Sequence, residues 1–284
     1  MWKRTSVGKY KMRPKLILDP IFANNFAEKD IFSHIFQLQG EIFRQHKNRK
    51  TFRFTINNES YFIKLHHGIG WRELCKHFFK GRFPVLSAST ERRAISQLTQ
   101  LNIPVPQVVG YGRRGWNPAS LDSFIITKEL VNTVSLEEYC KDWHTHPPAF
   151  KTKFALIKEV ARIAQILHEN NINHRDFYIC HFLLDVSGNA SAIQNPKLYL
   201  IDLHRTQLHH HFSQRWIVND LSRLYFSIMD FGLTQRDILR FITYYSKKPL
   251  QESLHTNKIL WKKISNHALR LYKKINRQKK DSVL

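Results

Sequence analysis

Apolar and polar residues alternate in short runs near the start of the chain and recur every three to four positions further on. Thr51–Ile56 and Tyr61–Leu65 alternate with the period of half-buried strands, and Asn57-Asn58 between them reads as a tight turn. Phe36–Phe43 is a further apolar run and predicts another strand. From Trp71 to Lys80 the apolar residues are Trp71, Leu74, Cys75, Phe78 and Phe79, the spacing of one helix face, and Gly81 and Pro84 end the run. Thr90 predicts the N-cap of a helix reaching to about Leu101, stopped by Pro104 and Pro106. Gln107–Tyr111 and Phe124–Leu130 read as strands. Ser135 with Glu138 has the spacing of a capping box. Phe150–Glu169 is a long amphipathic helix, followed by short strands at Phe182–Val186 and Leu198–Ile201 and then mostly helix. Near the C-terminus Leu260, Ile264, Ala268, Leu271 and Ile275 lie on one face of a basic helix. A strand-rich first part and a helix-rich second part make an α+β protein of two lobes. The division falls at 1–130, the first 35 residues being a basic extension, and 131–284.

Composition narrows the class. The 284 residues are 42% hydrophobic and 13% aromatic, enough for buried cores and too much for a disordered basic tail. The longest apolar runs fall well short of the ~18 residues a membrane span needs. After the basic start, only Leu16-Ile17-Leu18 precedes Asp19, too short for a secretory core of ~7–15 apolar residues, so the chain is expected in the cytosol. Cys75, Cys140 and Cys180 are far apart and suggest neither a disulfide framework nor a zinc knuckle. Against 22 Asp and Glu stand 45 Lys and Arg, a formal net charge of +23. Nucleic acid, an anionic membrane face and an acidic partner are all compatible with that charge. The cations crowd both ends. The basic C-terminal helix reads first as a helix docked on the core with a solvated face, and second as a membrane-surface helix.

Candidate chemistry centres on His174-Arg175-Asp176, which follows a long helix and precedes an apolar strand. Such loops carry the catalytic base of protein-kinase-like folds. Downstream, Leu200-Ile201-Asp202 is a strand ending in Asp, where those folds place the principal metal ligand. Upstream, Tyr61-Phe62-Ile63-Lys64 presents the Lys that binds the α- and β-phosphates, and Glu91 in the first turn of a helix is its pairing partner. Taken singly, each has an ordinary reading: a solvated strand Lys, a Glu at a helix start, an Asp closing a turn. Their order predicts a bilobal protein-kinase-like fold. Asp220, at a helix start, fits the Asp that binds the catalytic-loop amides.

The departures from the kinase pattern are specific. No Gly-x-Gly-x-x-Gly loop is present, and Gly40 is the glycine expected between the first two strands. Asp202 is followed by Leu203-His204. His181 stands where Asn is expected. Mg²⁺ prefers oxygen ligands, so His181 would act through a water, contact phosphate, or favour Mn²⁺. His209-His210-His211 reads as a polar loop before a zinc site, because adjacent His do not share a helix face. His66-His67 reads as part of a turn.

Longer blocks carry a resemblance. Asn173 to Leu184, His66-His67-Gly68-Ile69-Gly70-Trp71, Phe83–Leu86, Glu91–Ile95, the stretch from Phe124 through Ser135–Cys140 to Asp142-Trp143, and Leu200–Arg205 together resemble the bacterial lipopolysaccharide core heptose(I) kinases over roughly 36–246. The resemblance implies an ATP-dependent sugar kinase that phosphorylates the first heptose of the inner core at the cytoplasmic face of the inner membrane. It implies Asp176 as catalytic base, Asp202 as metal ligand with His181 accessory, Lys64 and Glu91 as the nucleotide-positioning pair, and ATP with Mg²⁺, or Mn²⁺, as the cofactors. The substrate would be the lipopolysaccharide core and the surface partner an anionic membrane, with an acidic protein such as a carrier protein as a further candidate and no nucleic acid. Two other readings stay open: a kinase acting on a protein or small-molecule hydroxyl, and a basic binding protein that has kept the fold without the chemistry.

Overall fold

The computed structural model describes residues 15–25, 30–46, 48–72, 87–188, 194–211 and 213–281. These residues form two compact units. One comprises the described residues up to Arg92 together with Gln107–Glu129, the other Arg93–Pro106 together with the residues from Leu130 onward.

The first unit is built on a six-stranded antiparallel sheet. Its strands are β1 (Lys15–Leu18), β2 (Glu41–His46), β3 (Arg49–Ile56), β4 (Glu59–His66), β5 (Val108–Arg114) and β6 (Asp122–Lys128), in the order β1-β5-β6-β4-β3-β2. The alternation expected for β3 and β4 is realised: Phe52, Phe54, Tyr61, Ile63 and Leu65 are buried in one cluster. Asn57 and Asn58 have φ of 51° and 62°, the left-handed pair that a two-residue hairpin needs to match strand twist. Two short helices, α1 (Pro20–Asn25) and α2 (Ile31–Gln37), cover that face of the sheet. Phe22 meets Tyr61 edge-on at 5.1 Å between ring centroids, and Phe32 meets Phe124 at 5.4 Å. Gly112 makes room for this packing. A Cβ there would lie 2.3 Å from the Phe124 ring and 3.0 Å from that of Phe32.

The region around Phe36–Phe43 differs from the expected strand. Asp30 caps α2 by accepting from the Phe32 N–H, and Phe32 and Ile35 sit on its buried side. The helix therefore takes Phe36, and β2 begins only after Gly40. A Cβ at Gly40 would lie 1.9 Å from the Arg53 carbonyl oxygen, so glycine is needed where the chain enters the strand. Gly40 thus precedes the β2–β3 hairpin instead of lying between its strands. Part of the basic extension is also structured, since β1 and α1 contribute an edge strand and Phe22. The 71–80 helix lies outside the described residues beyond Arg72, as do the first 14 residues.

A helix, α3 (Ser89–Gln100), begins in the first unit. It starts one residue before Thr90, with the Ser87 hydroxyl accepting from the Ser89 N–H at 3.1 Å. In the second unit α4 (Leu136–Cys140) is capped by Ser135, whose hydroxyl accepts from the Glu138 N–H. Helix α5 spans Phe150–Glu169 and buries Ala155, Leu156, Val160, Ala161, Ile163, Ala164 and Leu167, the face its periodicity predicts. Two small antiparallel sheets follow. One orders β10 (Leu198–Leu200), β9 (Phe182–Asp185) and β7 (Thr133–Ser135), and the other pairs β11 (Gln207–Leu208) with β8 (Ile172–Asn173). The remaining helices are α6 (Gln214–Ser227), α7 (Gln235–Ser246), α8 (Leu250–Thr256) and α9 (Lys258–Asp281). Helix α9 packs on α6, burying Leu260, Ile264 and Ala268, and the Ser222 hydroxyl donates to the Ile264 carbonyl at 3.1 Å. Its apolar stripe is thus used inside the protein, while Lys262, Lys263, Arg270, Lys273 and Lys274 stay exposed.

Candidate active site

The sequence-derived candidates fall into two groups, one in each unit. In the first, Lys64 sits on an interior strand, between β3 and β6, and points away from the face that Ile63 and Leu65 bury. Its Nζ donates to Glu91 Oε1 at 2.5 Å. Glu91 is buried, and its second carboxylate oxygen has no hydrogen-bond partner among the described residues. A buried carboxylate in this state depends on its cation, because removing the partner leaves an uncompensated charge. The pair therefore fixes the Lys64 ammonium in place.

In the second unit, β8 delivers the chain to His174-Arg175-Asp176. Arg175 has φ of 72°, a left-handed conformation that a non-glycine residue adopts only when its surroundings impose it. Asp220 of α6 imposes it. Its fully buried carboxylate accepts from the His174 N–H at 2.8 Å and the Arg175 N–H at 2.9 Å. Burial alone would push the Asp220 carboxyl up, but His168, whose Nε2 lies 3.6 Å away, and the backbone N–H of His174 hold it below the ordinary value of 3.8. The His174 ring is wholly buried, which lowers its pKa and keeps it neutral. Its Nε2 donates to the Ile201 carbonyl at 3.1 Å, tying the loop to the strand end that carries Asp202.

His181 lies between the backbone of Asp176 and the carboxylate of Asp202. Its Nδ1 lies 2.6 Å from the Asp176 carbonyl oxygen. A carbonyl only accepts, so Nδ1 carries the proton, and in the neutral ring Nε2 presents a lone pair. That Nε2 faces Asp202 Oδ2 at 3.7 Å, beyond hydrogen-bond range. Two electron-pair donors facing each other at this spacing suit a shared cation. Asp202, at φ 60°, is oriented from its other side by the His204 Nδ1–H, which donates to Oδ1. Among the described residues no group of three or more His, Cys, Asp or Glu could hold a metal. The Asp202 carboxylate fits a divalent ion such as Mg²⁺ that completes its shell with water and phosphate oxygens, and direct ligation by the His181 imidazole fits Mn²⁺ better.

Asp176 itself is paired with Arg205. One guanidinium nitrogen, Nη1, reaches Oδ1 at 2.7 Å and Oδ2 at 3.1 Å. Sequence reasoning did not single out Arg205 or His204. Both stand in the Leu200–Arg205 block, but their partners lie elsewhere in the chain or depend on the turn that follows β10. The His209–His211 run builds no comparable cluster among the described residues; His209 stacks on Trp216 at 4.9 Å. Cys140 and Cys180 are free thiols, pushed up by burial to about 12 and about 11, so they stay protonated at neutral pH.

A catalytic-type loop braced by a buried Asp, a strand-end Asp and a strand Lys paired with a helix Glu define a phosphotransferase of protein-kinase-like fold. Comparison with known proteins agrees. The model of the lipopolysaccharide kinase (Kdo/WaaP) family matches residues 33–245. The chain is 40% identical over 263 residues to the lipopolysaccharide core heptose(I) kinase WaaP of Pseudomonas aeruginosa, covering 93% of this chain and 98% of that protein. It is 44% identical over 233 residues to the protein of the same name from Escherichia coli, covering 82% and 88%. A solved structure of WaaP in complex with acyl carrier protein superposes with a TM-score of 0.79 at 37% identity, covering 91% of this chain and 99% of that one. The chain belongs to the lipopolysaccharide kinase (Kdo/WaaP) family. The expected α+β kinase-like fold and phosphotransferase class are borne out.

Proposed function

We propose that this protein transfers the γ-phosphoryl group of ATP to a hydroxyl of heptose I in the lipopolysaccharide inner core. The observation that carries the reading is the convergence of Asp176, His181 and Asp202 on one side of a loop braced by Asp220; the named activity of the relatives supplies the acceptor. Phosphoryl transfer asks for alignment and charge neutralisation more than for covalent help. Lys64, fixed by Glu91, binds the α- and β-phosphates. Asp202 would hold Mg²⁺, or Mn²⁺ with His181 as accessory ligand, and the ion would supply positive charge to the phosphate oxygens. Asp176 orients the acceptor hydroxyl and takes its proton. The division of labour follows 1–130 for nucleotide and 131–284 for catalysis. With purified core lipopolysaccharide and labelled ATP, label is expected on the heptose and absent from a general protein mixture. Label on protein alone would overturn the acceptor.

A carrier-protein partner is supported by the relative solved with acyl carrier protein and by a cavity in the second unit. The cavity has a volume of about 250 Å³ and is lined almost wholly by apolar side chains, among them Leu136, Trp143, Leu156, Ile179, Phe241 and Trp261. An acyl chain on such a carrier matches this lining. An acylated carrier protein is expected to raise the melting temperature by several degrees. An equal effect from the unacylated form would remove the acyl chain from the reading.

The enzyme works at the cytoplasmic face of the inner membrane in this proposal. No helix among the described residues is long and apolar enough to cross a membrane. The exposed cations of α9 offer about 1 kcal/mol each toward an anionic surface. High salt is expected to release the protein from anionic vesicles in a sedimentation assay; salt-resistant binding would point to apolar insertion instead.

A further inference from the structure

Asp176 is held in an unusual way. Strong Arg–carboxylate pairs set two guanidinium nitrogens against two oxygens. Here Nη1 alone spans both oxygens, and among the described residues the hydrogen bonds of Arg205 all come from that nitrogen. Nε and Nη2 keep their donors for another acceptor. The backbone beneath is anchored: Leu203 is buried, and the Thr206 N–H donates to the Leu203 carbonyl at 3.1 Å. The Arg205 side chain is 40% exposed, so it can swing without disturbing a core. A second guanidinium is close. Arg175 is held below its ordinary pKa by burial and then by the charge of Arg205. With Nε and Nη2 unused, the Arg205 guanidinium favours a further anionic acceptor.

We infer that Arg205 is a further catalytic residue, which moves from Asp176 onto the transferring phosphoryl group when the acceptor hydroxyl takes its place at Asp176. The inference rests on the proposed role of Asp176. As the hydroxyl oxygen bonds to the γ-phosphorus, the bond from that phosphorus to the β,γ-bridging oxygen breaks. The electron pair leaves with ADP, and the hydroxyl proton passes to Asp176. The three equatorial oxygens carry the charge of this transition state, and a planar guanidinium with unused donors is suited to bind two of them. Arg205 is well placed to do so, because the phosphoryl group must lie beside the hydroxyl that Asp176 aligns. In the resting protein the same side chain neutralises Asp176.

The test uses the full chain and the variants Arg205→Ala and Arg205→Lys. Removal of an arginine that stabilises this charge costs about 10³-fold or more in kcat. Arg205→Ala is expected to lose that much, with KM for ATP and acceptor within about threefold of wild type. It should bind ADP normally but lose about 10²-fold or more in affinity for ADP with fluoroaluminate, a mimic of the transferring group. Guanidinium ion in millimolar amounts should restore part of kcat to Arg205→Ala. Arg205→Lys, which keeps the charge and not the fork, should lie between. A kcat loss with unchanged fluoroaluminate affinity would overturn the inference and leave Arg205 positioning Asp176 only, as would a kcat within tenfold of wild type. Asp176→Asn measured in parallel separates the two readings: if it stays active the base assignment fails, while the analogue affinity of Arg205→Ala still decides the role of Arg205.

Discussion

Asp176→Asn should reduce transfer by about 10²–10⁴-fold, the range that a positioned general base supplies. Asn has the size of Asp and keeps the side chain between Arg205 and the loop, but it cannot take a proton from the acceptor. The fold should survive. The Asp176–Arg205 pair has one partner 40% exposed, and an ion pair so open to solvent contributes little to stability, about 0–1 kcal/mol. ATP binding should survive too, since Lys64, Glu91 and Asp202 are unchanged. Radiometric transfer beside nucleotide binding checks the split. Turnover within tenfold of wild type would remove Asp176 from the role of base.

The largest effect on stability is expected at Asp220. Its carboxylate is fully buried and accepts two backbone N–H groups of the catalytic loop. Asp220→Ala leaves those donors without acceptors and removes the carboxylate that lies 3.6 Å from His168. Loss of one partner from a buried charged network costs about 3–5 kcal/mol, and the Arg175 backbone loses what held its left-handed conformation. Urea unfolding should show the drop, and kcat should fall with it. A variant as stable as wild type would show that the loop is held by other contacts. The pH dependence follows from two directions. Asp220 has its folded pKa lowered below 3.8, so its stabilisation is complete above that value and is lost as pH falls through the lower folded one. His174 has its folded pKa lowered below 6.5. The unfolded chain binds that proton first, so stability should begin to fall as pH drops below about 6.5. A urea midpoint unchanged between pH 7.5 and pH 5.5 would contradict the buried, neutral His174.

Much of this was legible from local pattern. β3, β4 and α5 lie close to where their periods place them, because a strand or helix with one buried face writes its period into the sequence. Ser135 likewise announces its helix by chemistry within four residues. The Phe36–Phe43 run misleads for a definite reason. Phe32, Ile35 and Phe36 share a helical face, but Leu38, Ile42 and Phe43 extend the apolar run past the helix end and imitate a strand. The short β1 carries too few residues to show a period at all.

The site divides in the same way. The sequence alone determined which residue types are present and in what order: Lys64 on a strand, Glu91 at a helix start, Asp176 in a loop, Asp202 at a strand end, and a large positive charge. Tertiary structure alone decided what each one meets. Arg205 reaches Asp176 across 29 positions, and Asp220 reaches the His174 amide across 46. The Asp176 carbonyl sets the tautomer of His181 and so turns its other nitrogen toward Asp202. The basic C-terminal helix could equally have faced lipid, until packing on α6 took its apolar stripe. Periodicity is a property of neighbours along the chain, whereas these pairings are selected by the close packing of distant segments, which no local pattern records.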